Sequence, residues 1–428
     1  MRKVLIITYY WPPAGGPGVQ RVLKFVKYLP EFGWEPVILT VENGDYPAID
    51  ESLCTEIPGG LHIYKTRTLE PFKAFRKVTG KSSDQVIPTF ILNSNGSDNW
   101  RDQSGKWARA NFFIPDARLG WIPFARQTGR KILSIENIAV ILTSSPPHSL
   151  QLIGRALARQ TGRKWVADLR DPWTEAFWQR ELNATAPARY INRRMEKAVL
   201  NSADDLITVS PSIAELLRIK SGKNCKVIPN GFDADDFKGI KKSRNEKFTI
   251  TYSGNLSKDQ PITALLNVLK NIKTDALNQI EVNLYGSVHD RHLAEIAVAD
   301  MLNVVNVESY LPHRELITRI VNSDILLLII PETPDNKGIL TGKVFEYMAT
   351  GNFILGIGPE EGDAARLLKE TNTGVMHAYS DDLKAIILEH FRHWQEGREN
   401  KRTFQKFENY SRRSLTGELA KILDKQIA

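Results

Sequence analysis

Two lysines, one glutamate and two glycine-containing turns have the types and spacing needed to hold a diphosphate. The segment LLLIIPETPDNKGILTGKVFEYMATGNFILGIG runs from an apolar stretch ending at Pro331, through a polar loop, into a helix predicted to start near Thr341. The first N–H groups of a helix lack intrahelical acceptors and carry the positive end of its dipole. Those of Leu340, Thr341 and Gly342 would therefore point towards a ligand. Lys343 lies in the first turn, where a cation opposes the dipole, a placement that makes sense with an anion bound there. One turn on, Glu346 could accept hydrogen bonds from two vicinal hydroxyls, as a ribose offers. The competing reading is an exposed helix face. Upstream, Tyr252-Ser253-Gly254-Asn255-Leu256-Ser257-Lys258 puts small Gly254 where a strand should end, so that a ligand can approach the backbone. Lys258 then offers a point charge to a phosphate, or is simply solvated.

A second glycine turn opens the chain. TYYWPPAGGPGVQRVLKF places Gly15, Gly16 and Gly18 before a helix, the arrangement of an anion site. Gly16 to Arg21 nearly spells GxGxxG, and Glu42 follows the second strand as a ribose-binding acid would. Arg21, however, stands where the third glycine should allow close helix packing. A nicotinamide cofactor or a purely structural turn are the alternatives. Gly342-Lys343 and Gly80-Lys81-Ser82 both lack the upstream glycine of a P-loop. Asp233-Ala234-Asp235 spells DxD but no strand delivers it. His289/His292 and His390/His393 are i,i+3 pairs without further ligands, and are predicted to face solvent. No metal or cofactor is expected.

These groups need elements to position them. The chain has 428 residues, enough for two domains, with 42% hydrophobic and 25% charged residues. Apolar β-branched runs at Val4–Thr8, Pro36–Val41, His62–Thr66, Ala139–Thr143, Lys164–Asp168 and Leu206–Val209 alternate with helical patterns such as Val19–Leu29, Ser149–Gln160 and Ala188–Asn201. That rhythm predicts a doubly wound parallel sheet. It restarts after a polar linker, with strands at Phe248–Tyr252, Glu281–Tyr285, Asp324–Ile330 and Phe353–Gly358 and a helix at Ile262–Asn271. The expected division is 1–228, a linker at 229–247, 248–403, and a helix within 404–428 that could cross back to the first domain. Residues 67–120 fit poorly and read as an insertion. Its aromatics, Phe72, Phe75, Phe90, Trp100, Trp107, Phe112 and Phe113 with Trp121 just beyond, alternate with Lys and Arg, as a self-packed subdomain or an acceptor or membrane contact would.

Only Cys54 and Cys225 occur, in no metal-ligand spacing, so a disulfide framework is excluded and a reducing compartment fits. The apolar stretch Val4 to Ile7 is too short for a signal peptide, and no run approaches a membrane span. The net charge of +8 suits anionic partners, but no nucleic-acid-binding module is recognisable. A cytoplasmic protein is expected, without nucleic acid as a partner.

Together, the glycine loop Gly15–Gly18, Pro229-Asn230-Gly231, Ser253-Gly254-Asn255…Lys258 and Lys343-x-x-Glu346-Tyr347 before Gly351 resemble the retaining glycosyltransferase family 4 of the GT-B fold. TSSPPHS, ADLRDPW and IPDARLGW resemble a bacterial subgroup associated with cell-surface polysaccharide assembly. The resemblance implies two Rossmann-like α/β domains facing across a cleft, the donor nucleotide in the second and the acceptor in the first. It implies that Lys258 grips the diphosphate and that Glu346, matching the second glutamate of E-x7-E, binds the ribose. Two departures stand out. Asn255 replaces a usual arginine, and Gly338 occupies the place of the first glutamate, leaving sugar recognition to the backbone of Gly338–Thr341 or another side chain.

Many family members also carry a histidine after the strand at Lys164–Asp168. Here Arg170 or Asp171 takes that place, and His148 follows the preceding strand. The reaction implied is hexose transfer from a nucleoside diphosphate sugar to a glycan hydroxyl, with retention and without a metal. Asp171 could stabilise an oxocarbenium ion or take the acceptor proton, with Arg170 or His148 on sugar or phosphate oxygens. Asp116 is a further acceptor-site candidate. A lipid-linked acceptor would bring the protein to the inner face of the plasma membrane. The rivals are a sugar-nucleotide epimerase, a nicotinamide-dependent oxidoreductase and a non-catalytic nucleotide-sugar-binding subunit.

Overall fold

The computed structural model describes residues 1–46, 48–69, 107–176, 183–398 and 407–427. The chain divides into two compact units, Met1–Pro229 with Arg412–Ala428, and Asn230–Ser411. Phe72, Phe75, Phe90 and Trp100 of the aromatic insertion lie outside the described residues.

The first unit is built on β1 (Arg2–Ile7), β2 (Trp34–Val41), β3 (His62–Thr66), β4 (Ile138–Ser145), β5 (Lys164–Leu169), β6 (Asp205–Thr208) and β7 (Cys225–Val227). They form one sheet in the order β3-β2-β1-β4-β5-β6-β7. Every pairing is parallel. Its central strands are apolar on both faces because helices cover both. Leu5, Ile7, Leu39, Ile141 and Trp165 pack into one core layer, and Val4, Ile6, Ile38, Leu142 and Val166 into the other. The strand order reverses between β1 and β4, and the loops beyond the carboxyl ends of these strands are where such sheets bind ligands.

Four helices bear on the site: α1 (Pro17–Tyr28), α2 (Ser149–Thr161), α3 (Ala186–Ser202) and α4 (Pro211–Ser221). The terminal helix Arg412–Lys425 seats Leu415, Leu419, Ala420 and Leu423 in the same layer as Val19, Val22, Leu23 and Val26 of α1. Trp34 Nε1 donates to Asp424 at 2.9 Å, tying that helix to the start of β2. Trp121 packs edge-on to Tyr9 in the main core and donates to Thr66 Oγ1 at 2.7 Å, whereas Trp107 and Phe112 are exposed.

The second unit repeats the plan with β8 (Phe248–Ser253), β9 (Ile280–Tyr285), β10 (Val305–Glu308), β11 (Ile325–Ile329), β12 (Phe353–Ile357) and β13 (Gly374–His377), in the order β10-β9-β8-β11-β12-β13, all parallel. Two of its helices matter below, α5 (His313–Val321) and α6 (Gly342–Thr350). The polar stretch after Asn230 belongs to this unit. Within it Asp233 accepts from the Asp235 N–H at 3.1 Å, capping a short helical turn at Ala234–Phe237, and the Asp235 carboxylate pairs with Lys238 at 2.6 Å, so each DxD carboxylate serves its own turn. No helix among the described residues is long and apolar enough to cross a membrane.

The histidine pairs require a correction. His292 and His390 are buried rather than solvent-facing. His390 stacks on Phe353 with ring centroids 4.1 Å apart. His292 Nε2 lies 2.8 Å from the Ser257 carbonyl, so that nitrogen carries the proton and donates. Among the described residues no three His, Cys, Asp or Glu come together to hold a metal ion.

Candidate functional site

In the second unit Gly254, at the end of β8, and Lys343, in the first turn of α6, come together. β8 delivers Tyr252 and Ser253 to Gly254, whose φ of 108° falls in the left-handed region. A Cβ at Gly254 would lie 3.0 Å from Lys343 Nζ. The position therefore demands glycine for conformation and for space, and Gly254→Ala should weaken nucleotide binding by pushing Lys343 aside, which calorimetry would read as a raised Kd. Beyond Gly254, Asn255 is exposed, while Lys258 is half-buried. The turn is pinned from beneath: Tyr252 Oη donates to the Asn255 carbonyl at 2.8 Å, the Ser257 N–H donates to Gln260 Oε1 at 2.9 Å, and His292 holds the Ser257 carbonyl.

The loop after β11 is fixed by Asn336, which donates to the Pro331 carbonyl and to Tyr379 Oη, both at 2.9 Å. Gly338 closes a short turn and Ile339 leads out of it towards α6. Thr341 is the N-cap residue, yet its hydroxyl caps nothing. That Oγ1 is buried without a hydrogen-bond partner. The Lys343 ammonium lies over the Tyr252 ring, 3.8 Å from its centroid. Burial pulls its pKa down to about 7 against the attraction of Glu346. Tyr347, one residue further along α6, places its hydroxyl 2.8 Å from the Ser253 N–H, binding the helix start to the end of β8. A desolvated cation, an unpartnered hydroxyl and a helix N-terminus at one strand end are suited to a phosphate group.

Glu346 is half-buried, with Oε1 3.2 Å from His313 Nε2 at the start of α5. Neither His313 nor His292 could be tied to the site from sequence. They meet their partners only through the packing of separate helices.

In the first unit the glycine turn makes room for Arg170. Gly16 is the N-cap residue of α1, and a Cβ at Gly18 would fall 2.4 Å from Arg170 Nη1. The turn is thus shaped for close approach by a guanidinium, while Gly15 donates to the Ala48 carbonyl at 2.9 Å. Arg21 explains the missing third glycine. It is fully buried and reaches beneath the sheet end, where Nε and Nη2 donate to Asp168 Oδ2 and Oδ1 at 2.9 and 3.0 Å. Its Nη1 donates to the carbonyls of Ile228 and Pro229 at 2.8 and 2.9 Å.

Arg170 is nearly buried and donates to the carbonyls of Ser145 and Pro146 at 3.0 and 3.1 Å. It braces the loop after β4. His148, before α2, stacks on Trp173 with centroids 4.8 Å apart and planes 9° from parallel. Burial, reinforced by Arg170 and Lys220, pushes its pKa down to about 3, so it is neutral at physiological pH. Its Nδ1 is buried and unpartnered. Burial raises the Asp171 pKa while Arg170 opposes the shift. Asp116 is occupied in shaping the same region, its Oδ1 accepting from the Arg118 N–H at 2.9 Å and Oδ2 from the Ser149 N–H at 2.7 Å. The loop carrying Asp171 is anchored by Lys220, which donates to Thr174 at 2.9 Å and to buried Glu196 at 2.7 Å.

Residues 90–236 match the family model described as Glycosyltransferase Family 4. No curated protein sequence matches the chain. Among solved structures, sucrose-phosphate synthase from Thermosynechococcus elongatus is 15% identical, with the match covering 100% of this chain and 95% of that one at a TM-score of 0.58. HepE of Anabaena, solved in complex with UDP and glucose, is 13% identical over 100% and 97% of the two chains at 0.54. WaaG, a glycosyltransferase involved in lipopolysaccharide biosynthesis, is 13% identical over 98% and 99% at 0.54. These likenesses extend the GT-B fold over both units. With family 4 sequence at residues 90–236 and a GT-B fold throughout, the chain is a glycosyltransferase.

Proposed function

We propose that the chain moves a hexose-like sugar from a nucleoside diphosphate sugar to a hydroxyl of a lipid-linked glycan, with retention, in the assembly of a cell-surface polysaccharide. The second unit holds the donor, with Gly254, Lys258, Thr341 and Lys343 around the diphosphate and Glu346 on the ribose. The first unit holds the acceptor near Asp171, at the inner face of the membrane. The bond between C1 of the sugar and the β-phosphate oxygen breaks, and the acceptor oxygen bonds to C1. The electron pair leaves with the diphosphate, where the Lys343 ammonium and the N–H groups at the start of α6 stabilise the growing charge. The acceptor proton passes to the Asp171 carboxylate, the base that the first unit offers. Neutral His148, stacked on buried Trp173, stiffens the loop that carries Asp171. The involvement of WaaG in lipopolysaccharide biosynthesis supports the cell-surface role, and the UDP of HepE names the nucleotide to try first.

The observation that carries this reading is the Lys343 ammonium, held half-buried over Tyr252 beside a bare helix N-terminus, with its pKa pulled down to about 7. An anion bound there favours the charged amine and raises its pKa, so binding takes up a proton. A sugar nucleotide has no phosphate titration near neutrality, so the pH dependence belongs to the protein. Affinity for UDP-glucose or GDP-mannose should be greatest below pH 7 and fall by up to about tenfold per pH unit above it. Titration calorimetry at pH 6, 7, 8 and 9 checks this, with NAD as the control that should not bind. Affinity that stays flat across that range, or tight binding of NAD, would contradict it.

A further inference from the structure

We infer that His313 is a positioning residue that holds the Glu346 carboxylate away from Lys343, keeping the acid for the ribose and the amine for the diphosphate. This rests on the donor-site reading above. Lys343 and Glu346 stand at i,i+3 on α6, a spacing at which lysine and glutamate readily pair. Among the described residues they form no salt bridge. Glu346 Oε1 lies instead 3.2 Å from His313 Nε2, and the Lys343 ammonium rests on the Tyr252 ring.

His313 is well placed to act as a fixed clamp. It occupies the first turn of α5, whose Ile317 and Ile320 share one buried cluster with Val344, Phe345 and Met348 of α6. The packing of the two helices therefore sets the histidine's distance from Glu346. Without the clamp, the nearest cation on Glu346's own helix is Lys343. Closure of that pair would neutralise the amine meant for the diphosphate and turn the acid from the sugar hydroxyls, so one lost side chain would disable two subsites.

The test compares UDP with 2′-deoxy-UDP, by calorimetry, on the full chain and on four variants. GDP and 2′-deoxy-GDP replace them if guanine is the preferred base. The parent should favour UDP by about tenfold, the worth of a hydrogen bond to a charged group. His313→Ala should bind even 2′-deoxy-UDP about tenfold more weakly than the parent, because Glu346 now claims Lys343. Adding Glu346→Gln to that variant should restore 2′-deoxy-UDP binding, since the neutral amide releases the amine. His313→Gln, which can still donate an N–H to Glu346, should keep near-parental affinities and shows that the site folds. A His313→Ala variant that binds 2′-deoxy-UDP like the parent, or a double variant as weak as the single, overturns the role of His313. A Glu346→Gln single variant that still prefers UDP to 2′-deoxy-UDP overturns the ribose reading itself.

Discussion

Replacing Lys343 with methionine should lower kcat/KM for sugar transfer by about 10²–10³-fold, the usual loss when one preorganised donor to a developing anion is removed. Methionine keeps the volume of the side chain against Tyr252 while deleting the ammonium, so the helix start and the Gly254 turn should persist. The same change should raise the melting temperature. In the folded chain the Lys343 pKa is about 7, against an ordinary 10.5. Below pH 7 the amine is charged in both folded and unfolded states, and the folded state bears the whole cost of burying it. Between about 7 and 10.5 the unfolded state binds more protons, so stability rises with pH as that cost is relieved. The gain from Lys343→Met should thus be larger at pH 6 than at pH 9. A variant less active yet more stable, most markedly in acid, is the signature of a residue kept for binding rather than folding. Steady-state assays with thermal melts at both pH values check it. A variant with unchanged turnover, or one destabilised at pH 6, would contradict the assignment.

The largest effect on stability should come from Arg21. Both partners of the Arg21–Asp168 pair are fully buried, and Asp168 Oδ2 also accepts from Ser144 at 2.6 Å. Arg21→Met would leave a carboxylate at the end of β5 with only part of its hydrogen bonding and without its directly paired cation. Breaking a buried pair from one side costs about 3–5 kcal/mol. Urea unfolding followed through tryptophan fluorescence should show a loss of that size in the first unit. The double variant Arg21→Met with Asp168→Asn should recover part of it, because the uncompensated charge is gone. A loss below about 1 kcal/mol in the single variant would mean that solvent reaches the pair.

The residue that most weakens the dinucleotide-binding pattern in sequence is therefore what locks the first unit's sheet to its first helix. Arg21 could be seen to break a glycine motif. Its partner, 147 positions away, could not be seen. The same holds elsewhere. The central strands were legible because burial on both faces leaves continuous apolar runs such as Leu326–Ile330. Cys225–Val227, Val305–Glu308 and Gly374–His377 were not, because an edge strand needs few apolar residues and these are short and partly exposed. Within the site, Gly254, Thr341, Lys343 and Glu346 could be placed from spacing along one strand end and one helix turn. His313 and His292 could not, since they reach Glu346 and Ser257 across 33 and 35 positions from helices whose packing no local pattern encodes. Histidines at i,i+3 read as a surface pair, yet His292 lies wholly in the interior, where its ring shapes the Gly254–Lys258 turn.

The central claim is that a nucleoside diphosphate lies against the start of α6 in the second unit. Crystals of the protein grown with UDP test it directly. The account predicts phosphate oxygens within hydrogen-bonding distance of Lys343 Nζ and Thr341 Oγ1, and ribose hydroxyls on Glu346. A nucleotide lodged instead on the Gly15–Gly18 turn of the first unit, with Lys343 still resting on Tyr252, would contradict it.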